Sequence, residues 1–445
     1  MSSTSVDTSA STTASTGPSD AAGVVRAAAQ RAAAASAALR VAPDAQVSEA
    51  LSAAAERVAG AARAVLAANA EDVAAAQAGG MSAGLLDRLR LDPARLESAA
   101  QQLREIAALP AQPRMAFVRD LPGDGVHGGE VWERRVPVGV IGATYEARPA
   151  VTLDVAGQVL RARSAAVLRT GSAALRTSAV LVDEVLTPAL AVAGLPDGAV
   201  ELVRQPGHDA AEALVAQPDL VPLVIVRGSG ETTRHLSRLG AAAGTRVLAH
   251  ADGGGVMYAD VAADLDRFRS LLRAGVDRLG VCNRLNLLLV HAARWEELSQ
   301  VAVEVLGEAG VEALLPPHEH ELGHEWALDS GREARVTVAP VAGPVEATAL
   351  AAAETSGIAA TVVTEDADTA ATFLGAWGGT GGFWNTTTRL LDGYKLLGVP
   401  ETGISVDSVP GPRGPVTGGD LVLRQFVVLP AGTHGSDAVK DSLLS

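Results

Sequence analysis

The 445-residue sequence predicts an α/β protein built on two parallel sheets, with a small antiparallel ribbon outside them. Three observations carry this expectation. Short apolar runs alternate with helical segments from about residue 136 onward. The runs are apolar on both faces rather than alternating, as in a sheet covered by helices on each side. Two further extended pieces, "GGEVWERRVPV" (128–138) and "GGDLVLRQFVVL" (418–429), break the alternation and read as ribbon strands.

From Ala21 to about Pro110 the chain reads as helix. "AAGVVRAAAQRAAAASAALR" and "VSEALSAAAERVAGAARAVLAANAEDVAAA" place apolar residues at three- and four-residue spacing among strong helix formers. Two more helices follow, divided at Asp92–Pro93, with Pro93 suited to a first helical position and Pro110 marking a stop. The first βα series then runs "VPVGVIGATY" (strand), "AVTLDVAGQVLRA" (helix), "AAVLRT" (strand) and "LVDEVLTPALAVAG" (helix). It continues through the strands "AVELV", "LVPLVIVRG" and "GTRVLAH". A second series opens with "LNLLLVH", just after the cysteine at 282, and runs through "ARVTVAP" and "AATVVTED". Ligands in such folds bind at the carboxyl ends of the strands.

Composition narrows the function. A formal charge of −15 without a basic cluster argues against a nucleic-acid partner, since phosphates would be repelled. One cysteine excludes an internal disulfide framework and suits a reducing, cytoplasmic setting. No stretch reaches the roughly 18 apolar residues of a membrane helix. The Ser/Thr-rich start, "MSSTSVDTSASTTASTGPSD", lacks the apolar core of a secretory signal and reads as a disordered tail.

The glycine-rich stretches "RGSGETT" (227–233), "HADGGG" (250–255) and "GGTGGF" (378–383) suit either ordinary turns or close approach of backbone to phosphate. None is a full dinucleotide fingerprint. "PPHEHELGHEW" holds His318, His320 and His324, but it is not a zinc motif, and we read it as a solvated acidic loop with no metal. Cys282 stands in "DRLGVCNRLNLLLV", in a turn leading into an apolar strand. It is either a small core residue or, facing a cleft near cations or backbone amides, a thiolate nucleophile.

The segment "RRVPVGVIGATYEARPAVTLDVAGQVLRARSAAVLRTGS" (134–172) resembles the gamma-glutamyl phosphate reductase (glutamate-5-semialdehyde dehydrogenase) family, a branch of the aldehyde dehydrogenase superfamily. "NAEDVAAA", "LLDRLRLDPARL", "GLPDGAVELV", "VLAHADGGG", "CNRLNLLLV", "WNTTTRLLDG" and "PGPRGP" follow in the family's order, so the resemblance covers about residues 24–430. It implies an aldehyde dehydrogenase-like fold. After a tail over 1–22, a nucleotide-binding domain spans 23–126 and 146–254, and a catalytic domain spans 255–405. An oligomerisation ribbon takes 127–145 and 411–430, and a flexible tail takes 431–445.

The implied activity is NADPH-dependent reduction of L-glutamate 5-phosphate to the 5-semialdehyde, in proline biosynthesis, through a cysteine thioester. Carried over by position, Cys282 and Asn283 would be catalytic, and Glu146, Arg148, Asn385 and Arg389 would bind substrate. Arg169, Thr170, Gly171, Ser172, Gly228, Ser229, Gly230 and Glu401 would bind the cofactor. A homo-oligomer is implied, with possible association with glutamate kinase. The sequence departs from the family around the site. The family's serine two residues before the cysteine is Gly280, and its glutamate four residues after is Asn286. Its Cys-His pair is Gly255 and Val256, and the histidine before "RGP" is missing. These changes keep open an enzyme acting on another acyl phosphate or aldehyde, and a non-catalytic paralogue.

Overall fold

The structure is a computed structural model, and it describes residues 18–81, 83–110, 115–123, 127–228, 230–250, 253–329, 331–407, 411–430 and 438–440. The first sheet has five parallel strands in the order Val200–Leu202, Ala165–Thr170, Val140–Tyr145, Leu223–Arg227 and Arg246–His250. Every residue of Val140–Tyr145 and Ala165–Thr170 is buried, which is why these runs show no polar alternation. The helices Pro18–Val41, Asp44–Ala78, Pro93–Ala108 and Val151–Arg161 join one core with this sheet.

The second sheet has six parallel strands in the order Glu312–Leu314, Arg335–Val341, Leu285–His291, Gly255–Ala259, Ala359–Val363 and Gly381–Trp384. Its two faces feed two separate cores. Met257 and Leu288 pack with the helices Leu265–Gly275 and Trp295–Glu308. Val256, Tyr258, Leu287 and Leu289 pack with Pro344–Glu354 and Ala367–Ala376. Successive residues of a strand point to opposite faces, so a fully apolar run serves both cores.

The third sheet is antiparallel: Met115–Leu121 and Val422–Leu429 flank Gly129–Pro137. The two ribbon pieces therefore pair with each other, Trp132 standing opposite Val427. Phe117, Leu423, Phe426 and Val428 stand about half exposed on this ribbon.

Several boundaries move. Helix begins at Pro18, inside the segment 1–22 read as a tail; residues 1–17 lie outside the described residues. Val140–Tyr145 was expected within the ribbon, but its burial makes it the centre of the first sheet. Met115–Leu121, assigned to the nucleotide-binding domain, is instead the ribbon's third strand. Residues 418–421 form a 3-10 turn closed by a Thr417–Asp420 capping box before the last strand starts. In the segment 431–445, Lys440 pairs with Glu130 at 2.6 Å and lies over the Trp132 ring; 431–437 and 441–445 lie outside the described residues.

Two glycine-rich stretches run into strands at their carboxyl ends. Gly255 opens Gly255–Ala259, and "GGF" belongs to Gly381–Trp384. Glycine is required there by close packing: a Cβ on Gly381 would meet Leu391 and Phe383 at 3.0 Å.

The division at Asp92–Pro93 holds. Asp92 caps the helix Pro93–Ala108, its Oδ1 accepting from the Arg95 backbone N–H at 2.7 Å, with Pro93 in the first turn. Asp92→Ala leaves that N–H without its partner, with an expected loss of about 1 kcal/mol of stability. Denaturant unfolding checks it, and a change below about 0.3 kcal/mol would contradict the cap's role.

Candidate active site

Cys282 lies in the turn between the helix Leu265–Gly275 and the strand Leu285–His291, at the junction between the two parallel sheets. It is half-buried against Ile358, Phe383, Leu391 and Ile404. Its carbonyl accepts from the Gly254 N–H at 2.8 Å, which ties the turn to the loop entering the neighbouring strand Gly255–Ala259. Asn283 is buried behind it. The Asn283 Nδ2 donates to the Leu391 carbonyl at 2.8 Å, and Oδ1 accepts from Arg389 Nη1. The Arg389 Nε also donates to Asp277 at 2.7 Å, and the Thr388 hydroxyl donates to the Asn283 carbonyl at 2.8 Å. Asn283 and Arg389 thus brace the cysteine turn from inside. These bonds all run within the protein, at residues the sequence reading expected to be catalytic (Asn283) and substrate-binding (Arg389).

Two arginines, Arg148 and Arg227, act on the thiol. Arg148, from the "YEARP" turn after Val140–Tyr145, interacts with Cys282, Arg227, Arg88 and Arg278; burial first, then those like charges, push it down to about 10. Ala147, beside it, sits at φ 46°, a left-handed conformation that a non-glycine residue adopts only when its surroundings impose it. Against these cations stand two carboxylates. Burial, then Glu401, then Glu325 push the Cys282 thiol up to about 11, while Arg148 and Arg227 pull it down. Burial and Asp392 raise Glu401 to about 7, and its Oε2 is buried without a partner.

The sign of the carboxylate effect is testable, because a neighbouring anion disfavours the thiolate. Glu325→Gln removes one such anion, so the thiol pKa falls. Alkylation of the sole cysteine by iodoacetamide at pH 8 is expected to quicken on the order of two- to fivefold. A slower reaction would refute the assigned sign.

A second group gathers at the carboxyl ends of the first sheet. Arg169 and Thr170 end the strand Ala165–Thr170, Gly171 follows, and the exposed Ser172 opens a short 3-10 turn. Gly228 and Gly230 lie between Leu223–Arg227 and the helix Gly230–Ala243; Ser229 lies outside the described residues. Glu146 stands between these two turns: a Cβ on Gly171 would meet its Cα at 3.8 Å, and one on Gly228 would meet its carboxyl carbon at 3.6 Å. The structure thus sets Glu146, expected from the sequence to bind substrate, beside the glycine turns. Asn385, likewise expected to bind substrate, follows the strand Gly381–Trp384. At φ 53°, its amide is engaged with the Thr364 carbonyl and N–H, closing the turn after Gly381–Trp384.

These turns fit a dinucleotide. Arg169 Nε, Thr170 Oγ1 and Thr233 Oγ1 are buried here without partners, a set of donors that a phosphate or ribose satisfies. Glycines at 171, 228 and 230 let backbone approach such a ligand.

The departures beside the cysteine are absorbed by packing. A Cβ on Gly255 would come within 2.7 Å of the Arg284 carbonyl and 2.8 Å of the Thr388 hydroxyl, so no larger side chain fits. Asn286 is fully buried; its Nδ2 donates to the His324 carbonyl at 2.8 Å and its Oδ1 accepts from the Trp326 N–H at 3.0 Å. An amide serves both bonds, whereas a buried carboxylate could accept but not donate. Through them Asn286 docks the histidine-rich loop, which brings Glu325 to the cysteine. Sequence reading treated that loop as solvated and so missed Glu325; it also passed over Arg227, a lone arginine at a strand end. Their signal lies in the fold, since strand ends and loop docking decide which charges converge.

Two parallel α/β units, a ribbon and a cysteine at the junction define a class, the aldehyde dehydrogenases. The family model described as "Aldehyde dehydrogenase family" matches residues 5–318. Within that class, the chain is 35% identical to gamma-glutamyl phosphate reductase of Kineococcus radiotolerans, over 92% of this chain and 95% of that protein. It is 36% identical to the gamma-glutamyl phosphate reductase of Clavibacter michiganensis, over 83% and 85% of the two chains. The crystal structure of gamma-glutamyl phosphate reductase from Thermotoga maritima superposes with a TM-score of 0.83 at 25% identity, covering 92% of this chain and 99% of that one. The chain belongs to the gamma-glutamyl phosphate reductase family, within the aldehyde dehydrogenase superfamily.

Proposed function

We propose that this protein reduces L-glutamate 5-phosphate to L-glutamate 5-semialdehyde, releasing inorganic phosphate, with NADPH as reductant. The observation that carries this reading is the sole cysteine set among Arg148, Arg227 and Glu401 in a cleft next to an unfilled set of phosphate-type donors. The Cys282 Sγ attacks the acyl carbon, a C–S bond forms, and the C–O bond to phosphate breaks with its electron pair leaving on phosphate. The carbonyl oxygen gains charge in this step, and the Cys282 backbone N–H would be a donor to it. Arg148 and Arg227 offset the charge of the phosphate, and their approach lowers the cost of the thiolate. When bound, the nicotinamide cofactor supplies the hydride that the thioester accepts. Release of the aldehyde returns Cys282 as thiolate.

Arg169, Thr170, Gly171, Gly228 and Gly230 would hold the dinucleotide, with Glu146 and Thr233 beside them. The preference for NADPH over NADH is carried over from the family, since the Arg169 guanidinium is already bonded to Thr144 and the Gly207 carbonyl. Asn283 and Arg389 act by positioning the cysteine turn. That the residues at 255 and 286 are packed without strain supports an active site rather than a degraded one.

NADPH oxidation coupled to glutamate kinase, glutamate and ATP tests the reading. Turnover dependent on both glutamate and ATP is the expected result. Turnover confined to another aldehyde or acyl phosphate would overturn it, as would a rate with NADH exceeding that with NADPH for the cofactor.

The exposed apolar residues of the ribbon and its unpaired strand edges favour a homo-oligomer. Light scattering that gives a monomer at micromolar concentration would overturn that. A cytoplasmic setting agrees with the single cysteine, and among the described residues no helix is long and apolar enough to cross a membrane. An acyl phosphate hydrolyses readily, which favours direct hand-over from the kinase that makes it; co-sedimentation with glutamate kinase tests that partnership.

A further inference from the structure

A cavity of about 320 Å³ opens at the far end of the helix Val151–Arg161, whose first turn adjoins the "YEARP" segment. Eleven residues of helix place its two ends roughly 16 Å apart, so this cavity is separate from the cysteine cleft. Five arginines line it, Arg40, Arg134, Arg135, Arg161 and Arg163, against one acid, Asp44. In a chain of net charge −15 that concentration of positive charge is unusual. Asp44 is already committed: Arg161 grips both its oxygens at 2.6 and 2.9 Å, and Arg163 reaches it at 3.1 Å. Arg135 is paired with Glu133 at 2.7 Å.

Among the described residues no acid of the lining is left for Arg40 or Arg134, and several donors and acceptors are unfilled. Gln158 lines it, is 2% exposed, and has no partner for Oε1. Arg161 Nε and Arg134 Nε are also buried and unpartnered. Buried polar groups without protein partners are rare, and an ordered water, an ion or a ligand satisfies them. The rest of the wall is apolar, with Ile106, Leu109, Val399, Pro400 and Val422. The volume suits a small molecule.

We propose that this cavity is a second ligand site, taking a compact phosphate or carboxylate on an apolar body, and that its occupant influences the cysteine cleft. The route is short: Val399 and Pro400 form part of the wall and directly precede Glu401, whose charge acts on Cys282. The arginines hold the anion, the apolar wall holds the body, and Gln158 Oε1 accepts a hydroxyl or amine where the ligand carries one. The proposal stands apart from the reductase reading, since it can be tested without turnover.

Calorimetry on the full-length protein with phenyl phosphate, benzoate and neutral benzyl alcohol tests the site. Saturable binding of phenyl phosphate or benzoate is expected, the tighter of the two identifying the preferred head group. Arg134→Gln/Arg135→Gln is expected to weaken it at least tenfold, the loss of one charge-assisted contact. Arg148→Gln, in the cysteine cleft, is expected to leave it unchanged. Light scattering confirms that the double variant keeps the wild-type assembly. Binding lost in Arg148→Gln but kept in the double variant would place the ligand in the cleft and overturn the proposal. Equal binding of benzyl alcohol, or none by any probe, would overturn it too. The coupling is read on the sole cysteine: saturating ligand is expected to change its iodoacetamide rate at least twofold in wild type and in Arg148→Gln, but not in the double variant. An unchanged rate would sink the coupling.

Discussion

Cys282→Ala is expected to abolish acyl-phosphate reduction, lowering kcat by at least about 10⁴-fold, because no other group supplies the covalent intermediate. The chain has no second cysteine to substitute for it. The fold should survive, since the side chain is only half-buried and its backbone hydrogen bond to Gly254 is unaffected. The loss therefore belongs to chemistry and not to unfolding, and a melting temperature within a few degrees of wild type separates the two. Cys282→Ser keeps the shape but offers a hydroxyl that is far harder to ionise, so it should behave like alanine. The coupled NADPH assay checks both. Residual turnover above about 1% of wild type in either variant would remove Cys282 from the nucleophile's role, since mutating a working nucleophile costs orders of magnitude more.

The thiol's own environment makes this result informative. A pKa near 11 leaves the resting group protonated at neutral pH. Arg148 and Arg227 already act on the resting thiol, so the rest of its activation must come with the bound substrate or cofactor. Glu401, raised to about 7, is near its own midpoint at neutral pH. Below that value it is mostly neutral and no longer opposes the thiolate.

Much of the fold was legible from sequence because it depends on patterns that neighbours in the chain determine. Apolar runs such as "VIGATY" and "LNLLLV" announce strands buried on both faces, and Asp92–Pro93 announces a helix start. The glycine-rich strands were not legible. Gly255 and Gly381 read as turns because the reason for glycine, the crowding by Arg284, Thr388 and Leu391, comes from distant segments. The site divided in the same way. The resemblance named Cys282, Arg148, Asn283 and Arg389, but it could not show that Asn283 and Arg389 hydrogen-bond within the cysteine turn. Nor could it show that Glu325, forty-three positions on from Cys282, returns to the thiol through a loop that Asn286 docks.

The two glycines that flank the cysteine in space and in sequence should respond in opposite ways. A Cβ built on Gly253 lies 2.5 Å from the Cys282 carbonyl oxygen, 2.6 Å from its Cα and 2.6 Å from Glu325 Oε1. Two of those atoms are backbone and cannot swing aside. The loop cannot retreat easily either, because the Gly253 carbonyl accepts from Ser356 at 2.8 Å and the Gly254 and Gly255 N–H groups are bonded to Cys282 and Arg284. Gly253→Ala must therefore push the cysteine turn, and a displacement on the order of 1 Å at the nucleophile costs about 10²-fold in rate. Overpacking adds about 1–3 kcal/mol of lost stability. Gly280 stands two residues before the cysteine, where the family carries serine, yet its Cβ would meet nothing within 4 Å. Gly280→Ala and Gly280→Ser should thus leave stability within about 0.5 kcal/mol and activity near wild type. The decisive measurement is kcat of the Gly253 and Gly280 variants side by side. If Gly253→Ala retained wild-type activity, the cysteine turn would not be held where the structure puts it, and the close approach of Gly253, Cys282 and Glu325 would lose its place in the mechanism.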